Sequence, residues 1–353
     1  MSEVAPSLLH QRVLDWYAHE ARNLPWREHG TSAWGVLVSE VMLQQTPVVR
    51  VEPVWRAWMS RWPSPAALAA SATGDAIHAW GRLGYPRRAL RLHAAAVAIV
   101  ARHHGDVPRH RNELLELPGV GTYTADAVCV FAWGAHVAVV DTNVRRVLTR
   151  IIGGAAQAGP SLSRADMMLA TTLLPAAPHV ARSWSVAVME LGALVCSARA
   201  PRCPDCPVQD LCAWRLAGRP AYEGPVRRSQ SWLRTDRQCR GAILAVLRES
   251  GGPVSVTTVG AAWPLDDTQR DRCLDSLVAD GLVEPLSCNR FRLPGRSTTR
   301  PSDNQAEDQD EDQCDHGDDG LHHRPGLDRL PHGQSEVLLD QPEPGVVDVT
   351  EEQ

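Results

Sequence analysis

The 353-residue chain is 44% hydrophobic with a formal net charge of −5, a size that fits about two domains with substantial cores. The charge is unevenly spread: residues 301–353 hold 16 acidic and 2 basic side chains, leaving 34 basic against 25 acidic in residues 1–300, and a basic body suits a phosphate-rich partner. No run approaches the ~20 apolar residues of a membrane span, and all 36 basic residues are arginine, which excludes any lysine Schiff-base chemistry.

Residues 7–21 read as an amphipathic helix, with Leu9, Val13, Trp16 and Tyr17 at helical spacing. The start, "MSEVAPSLLHQR", lacks the basic and apolar segments of a secretory signal, so a reducing, cytoplasmic compartment is expected. "LPWR" (24–27) breaks the first helix. Helical patterns then recur between glycines and prolines at about 33–45, 47–60, 65–71, 73–81, 86–104, 111–117, 122–133, 142–152, 161–174 and 178–195. No segment alternates like a strand before residue 225, so the first 215 residues are expected to be all-α.

"LPGVGTYTADAV" (117–128) places a Pro-Gly-Val-Gly turn between two helices. Gly119 and Gly121 allow positive φ and a close backbone approach. The turn aims backbone N–H groups at an anion, the logic of a hairpin that grips a DNA phosphate without reading sequence. Simple helix capping is the alternative. In "VAVVDTNVRRVLTRI" (137–151), Asp141 enters a helix after an apolar run, and on its own reads as an N-cap.

"CSARAPRCPDCPVQDLC" (196–212) gathers four cysteines as Cys196-x6-Cys203-x2-Cys206-x5-Cys212. In a reducing compartment such a cluster points to metal. Four thiolates suit an iron–sulfur cluster. A four-cysteine zinc site is the alternative, although zinc usually takes two separated Cys-x2-Cys pairs and only one is present.

Beyond the cysteines, residues 216–238 read as a polar, arginine-rich linker. Residues 239–294 hold "CRGAILAVLRES", "SVTTVGAAW" and "DDTQRDRCLDSLVADG" as three helices, the last capped by Asp266 or Asp267. "LVEPLSCNRFRLP" follows as a hairpin turning near Ser287–Asn289. That order predicts a winged-helix-like module, with Arg270, Arg272, Arg290 and Arg292 as candidate phosphate contacts, expected to support duplex binding more than lesion reading. Residues 295–353, rich in Asp, Glu, Gln, Pro and His, are expected to be a disordered acidic tail, including Cys314.

Taken together, the hairpin, the Asp141 helix and the cysteine loop resemble the helix-hairpin-helix DNA glycosylases that carry a 4Fe–4S cluster, the superfamily of endonuclease III and MutY. The resemblance covers residues 7–215. It implies a mainly α, two-lobed fold with DNA between the lobes. Residues 26–134 would form the helical lobe with the hairpin, and residues 1–25 and 135–215 the iron–sulfur cluster lobe. Cys196, Cys203, Cys206 and Cys212 would ligate one 4Fe–4S cluster, and Pro118, Gly119, Val120 and Gly121 would grip the DNA backbone.

Three positions point to the MutY type. The hairpin place that holds a Schiff-base lysine in endonuclease III is Tyr123, which implies a monofunctional glycosylase. "VSEVMLQQT" (38–46) resembles the MutY motif and puts Glu40 where those enzymes keep a catalytic acid. "LPWR" and "LGYPRRA" (83–89) are also MutY-like. The chemistry agrees with the residue types: adenine leaves readily once a ring nitrogen is protonated, and a carboxylic acid among Val38, Val41, Met42 and Leu43 would have a raised pKa and supply that proton. Asp141 would stabilise the resulting oxocarbenium-like sugar, as in glycoside hydrolysis, with Tyr123 and Asn143 positioning the second carboxylate or its water.

The target base must leave the duplex. By resemblance Gln44, Gln45 and Thr46 wedge the opened strand, Tyr85 wedges beside the opposite base, and Trp26 and Arg27 line the adenine pocket. A polar adenine-contacting residue is often found six residues before the equivalent of Gly192; here that place is Val186, so other groups must recognise the base. The expected activity is excision of adenine mispaired with 8-oxoguanine or guanine in double-stranded DNA, by a monomer that uses no membrane. A thymine or uracil mismatch glycosylase of the same superfamily, and a non-catalytic iron–sulfur redox sensor that binds DNA, are the alternatives.

Overall fold

The computed structural model describes residues 6–224 and 232–296. The expectations for Cys314 and for nearly all of the acidic tail lie outside the described residues. The chain runs through α1 (Pro6–Glu20), a 3-10 turn (Pro25–Arg27), α2 (Ala33–Leu43), α3 (Val48–Arg61), α4 (Pro65–Ala69), α5 (Thr73–Trp80), α6 (Arg87–His103), α7 (Arg111–Leu115) and α8 (Thr122–Trp133). It continues with α9 (Thr142–Ile151), α10 (Arg164–Thr172), α11 (Pro178–Leu194), a 3-10 turn within the cysteine loop (Cys203–Asp205) and α12 (Ala213–Leu216). No helix of the described residues is long and apolar enough to cross a membrane.

Local chemistry sets the boundaries. Ser32 caps α2 by accepting from the Gly35 N–H, and Ser163 and Asp166 close a reciprocal capping box on α10. His104 ends α6 and Gly134 ends α8 in the left-handed conformation.

Two hydrophobic cores result. The first is built from residues between Leu24 and Cys129, with Trp34, Trp55, Trp58, Trp62 and Trp80 as its large members. The Trp34 and Trp55 indole N–H groups donate to the Trp62 and Gly35 carbonyls, so these buried donors are satisfied. The second joins Leu9 and Val13 of α1 to residues between Ala138 and Trp214, because α1 packs on α11. Between the two lies a small bridge of Ala127, Val130 and Val139.

The C-terminal module follows as α13 (Asp236–Glu249), β1 (Val254–Ser255), α14 (Val256–Ala262), α15 (Asp267–Ala279), β2 (Glu284–Leu286) and β3 (Arg290–Arg292). Its three strands form one antiparallel sheet in the order β1-β3-β2, the winged-helix arrangement. The two-residue β1 is too short to alternate and left no pattern in the sequence. The module seats on the first lobe. Ile77 of α5 is fully buried in the module's own core, the Gly74 N–H donates to the Pro294 carbonyl at 2.7 Å, and Arg87 pairs with Asp280.

Candidate active site

A large groove opens between the two cores. Its lining includes Trp26, Arg27, Glu40, Gln44, Gln45, Thr46, Gly121, Tyr123, Asp141 and Asn143. Glu40 and Asp141, 101 positions apart in sequence, thus share one cavity because α2 packs on α8 while α9 starts across the groove.

Glu40 is 6% exposed near the end of α2, a helix otherwise apolar apart from the buried Ser39. Burial pushes its carboxyl up to about 7; the Tyr123 hydroxyl hydrogen bond opposes this, nearby Asp141 adds to it, and Arg27 again opposes it. The Tyr123 phenol is held well above its ordinary value, chiefly by burial and by the two carboxylates, so it remains a donor to Glu40.

Asp141 is half-buried and caps α9. One carboxylate oxygen accepts the Val144 N–H at 2.7 Å and the other accepts Nδ2 of Asn143 at 2.8 Å. Burial raises its pKa, opposed by these donors and by Arg146. The capping reading and the chemical one therefore describe the same carboxylate. Of the two acids, Asp141 has more donors and Glu40 the fewer, so a single proton is best placed on Glu40.

Asn143 is itself fixed from behind, as Oδ1 accepts from Arg146 at 2.7 Å. Arg146 also donates to the carbonyls of Gly192 and Cys196 at 2.9 and 2.7 Å. A side chain at 192 would place its Cβ 2.6 Å from the Asn143 Cβ, so glycine is what lets α11 cross α9 this closely.

Glu190 is the residue that the sequence reading missed. It is fully buried on α11 and lines the same groove. Its two oxygens take Nε and Nη2 of Arg22 at 2.6 and 3.0 Å, and Nη1 of Arg27 at 2.8 Å. Burial would raise its pKa, but the two guanidinium groups hold it below the usual glutamate value. Arg27 is thereby clamped, with its charge close enough to Glu40 to oppose the rise in that carboxyl's pKa. Val186 also lines the groove, without a polar group to offer. Trp26 is buried, edge-on to Trp55 at 5.8 Å.

The groove edges are refined by the structure. Gln44 donates to the Thr124 hydroxyl at 3.2 Å, and Gln45 adopts a left-handed conformation. Thr46 is buried, with its hydroxyl donating to the Leu83 carbonyl, so its side chain fixes the edge rather than projecting from it. Tyr85 is 40% exposed, and Arg237 of α13 stands over its ring at 5.7 Å. In the hairpin only Gly119 has positive φ; Gly121 does not, and the space beside it is open. The Val120 N–H is spent on the Leu117 carbonyl, so the donors left open at the hairpin are those of Gly121 and the first turn of α8. Val120 itself is a core residue. In the module, Arg270 pairs with Asp267 and Asp271, Arg272 with Asp236, and Arg292 with Glu284.

Cys196, Cys203, Cys206 and Cys212 line one small apolar pocket with Ile151, Leu191, Val195 and Trp214, and none is in a disulfide. Burial, with the other three thiols, pushes Cys206 up to about 12 against a backbone hydrogen bond from Val208. A thiol held this high ionises at neutral pH only against the positive charge of a bound metal group. Among the described residues no group of three or more Cys, His, Asp or Glu side chains is placed to hold a metal ion. Arg150, buried on α9, donates to Cys196 Sγ at 3.3 Å and to the Ser197 and Ala198 carbonyls, holding the loop.

Residues 38–170 match the family described as the HhH-GPD superfamily base excision DNA repair protein. An adenine DNA glycosylase of Mycolicibacterium smegmatis is 54% identical over 292 residues, covering 82% of this chain and 98% of that protein. A match of that length runs past the two lobes into the C-terminal module. The human adenine DNA glycosylase is 40% identical over 213 residues, 58% of this chain and 38% of that one. Among solved structures, a thermostable thymine-DNA glycosylase superposes with a TM-score of 0.54 at 27% identity, covering 60% of this chain and 97% of its own.

Proposed function

The chain belongs to the adenine DNA glycosylases of the HhH-GPD superfamily, and on that footing we propose that it hydrolyses the N-glycosidic bond of adenine mispaired with 8-oxoguanine or guanine in duplex DNA. The observation that carries this reading is the shared cavity lined by a buried Glu40, whose carboxyl pKa is raised to about 7, and by a hydrogen-bonded Asp141. With the target base extruded into the groove, Glu40 passes its proton to a ring nitrogen of adenine. The C1′–N9 bond then breaks and the electron pair leaves with the base. Asp141, oriented by Asn143 and the Val144 N–H, stabilises the positive sugar until water adds to C1′ and loses its proton, leaving an abasic site. Tyr123 holds Glu40 in place. Arg27, clamped by Glu190, offers donors to the ring nitrogens of the base, the role that Val186 cannot fill. Gln44, Gln45 and Tyr85 occupy the edges of the opened stack, and the donors of Gly121 and α8 meet a phosphate.

The four cysteines fit one 4Fe–4S cluster, which when bound would cross-link the 196–212 loop into a rigid wall of the DNA groove. One copy of the chain holds all these groups, which supports a monomer acting on the chromosome in the cytoplasm. The thymine-DNA glycosylase neighbour shows the same fold at lower identity, and the protonating Glu40 favours a purine leaving group over a pyrimidine. The deciding experiment is single-turnover excision from duplexes carrying A, T or U opposite G or 8-oxoguanine. Release of adenine alone is expected; release of T or U instead would overturn the reading.

Two further outcomes follow from the site. Because Glu40 acts in its protonated form with a pKa of about 7, excision within the preformed complex should be level below that pH. It should fall about tenfold per unit above it. A rate that stays flat to pH 9 would show that another group supplies the proton. Cys203→Ser or Cys206→Ser should lose bound iron and sulfide, with the brown colour, and weaken duplex binding. Wild-type protein purified with zinc and without iron or sulfide would reject the cluster.

A further inference from the structure

Arg87 and Arg88 are neighbours at the start of α6 with opposite surroundings. Arg87 is exposed and pairs with Asp280 of the module. Arg88 is 7% exposed, and its hydrogen-bond acceptors among the described residues are backbone carbonyls and one hydroxyl rather than carboxylates. Its Nη1 donates to the carbonyls of Val41 at 2.9 Å, Met42 at 3.1 Å and Gln44. Its Nη2 donates to the Thr46 hydroxyl at 2.9 Å and to the Gly84 carbonyl at 3.2 Å. Its guanidinium stands 5.4 Å from the centre of the Tyr85 ring.

The acceptors on this one side chain come from two places. One set is the end of α2, directly after Glu40, together with the Gln44–Thr46 edge. The other is the turn that presents Tyr85. Gln44 and Gly84 each precede a non-glycine residue in the left-handed region, Gln45 at φ 53° and Tyr85 at φ 47°. L-residues hold that conformation only where their surroundings impose it. Here the carbonyls on the entry side of both residues are fixed by the same guanidinium. A second link runs parallel, since the Thr46 hydroxyl that accepts from Arg88 donates to Leu83, next to Gly84. A planar fork of five donors bridges such a set, and a lysine ammonium does not reach all of it.

We infer that Arg88 is a positioning residue that couples the two edges of the groove, so that what Tyr85 meets on the opposite strand controls how the Gln44–Thr46 edge admits the target base. This rests on the mispair reading above. Burial lowers the Arg88 pKa to about 10, which leaves it charged at neutral pH.

The test compares wild type with Arg88→Lys, and with Arg88→Gln as a second variant, each checked for native helicity and melting. Target-strand 2-aminopurine emission reports base extrusion without bond cleavage. It is read opposite 8-oxoguanine and opposite an abasic analogue, beside single-turnover adenine excision from the same pairs. Wild type should extrude and excise much faster opposite 8-oxoguanine. In the variants that ratio should fall at least tenfold, while the pH midpoint of excision stays where it was, because Glu40 is untouched. A folded Arg88→Lys or Arg88→Gln protein that keeps the wild-type ratio overturns the inference, as does equal slowing on both duplexes. Absence of adenine excision by wild type would instead defeat the functional reading, and the emission ratio would still decide the role of Arg88.

Discussion

Glu40→Gln should abolish adenine release while leaving the protein folded and bound to DNA. The amide matches the carboxyl in shape, so α2 and its packing persist. It cannot give up a proton, and the buried position offers no nearby substitute: Tyr123 is held far too basic to act as the acid at neutral pH. General acid catalysis contributes ~10²–10⁴-fold, and adenine leaves poorly without it, so the loss should reach about 10³-fold or more in single turnover. Duplex affinity should change by less than about threefold, since Glu40 is not on a phosphate-facing surface. The swap also removes a raised carboxyl from the cavity, so the variant should be no less stable than wild type. Near-wild-type excision by Glu40→Gln would remove Glu40 from the mechanism.

Asp141→Asn should be nearly as severe for a different reason. Asparagine is as good an N-cap as aspartate, so Val144 keeps an acceptor and α9 keeps its start, with a stability change within ~1 kcal/mol. What disappears is the negative charge facing the developing oxocarbenium. Removing one preorganised electrostatic group of this kind costs ~10²–10³-fold in kcat. The new amide also meets Nδ2 of Asn143 as donor against donor, which disturbs the orientation that Arg146 imposes from behind. Binding should persist and the fall in rate with pH should begin at lower pH than in wild type, because the Glu40 carboxyl loses the neighbouring charge that helps to raise its pKa. A variant that excises at the wild-type rate would leave the sugar cation without an assigned partner.

The helices were legible because each pairs an apolar stripe with a nearby break; most boundaries fall within two residues of those expected, and the starts of α10 and α13 within three. Glu40 was legible from a motif and the cysteine loop from spacing, both being local in sequence. Glu190 was not. Its partners Arg22 and Arg27 lie more than 160 residues away, and only folding shows that a lone acid in the apolar run "VAVMELGALV" is clamped rather than exposed. Looking six residues before Gly192 found Val186, when the carboxylate stands two before it.

Arg88 left a signal that adjacency to Arg87 hid. It falls four residues before Leu92, on the stripe that continues through Ala95, Ala96 and Ile99. An arginine on an apolar stripe must find acceptors inside, and here they are backbone carbonyls with no side-chain pattern to betray them. The module's arginines show the complementary limit: Arg270, Arg272 and Arg292 each have an acid within reach in the fold, which a list of basic residues cannot reveal.

The seat of the C-terminal module has a consequence for how this chain varies over time. Gly74 admits no side chain without driving its Cβ to 2.6 Å from the Pro294 carbonyl, and Ile77 belongs to a core most of whose members lie more than 150 residues further along. Loss of the module would expose the apolar face of α5 and remove Arg237 from beside Tyr85, so it would call for compensating changes in the first lobe. Substitutions at 74, 77 and 294 are therefore judged by selection in two folding units at once. Drift in one unit has to wait for accommodation in the other, so the two halves of this surface are inherited as a matched set.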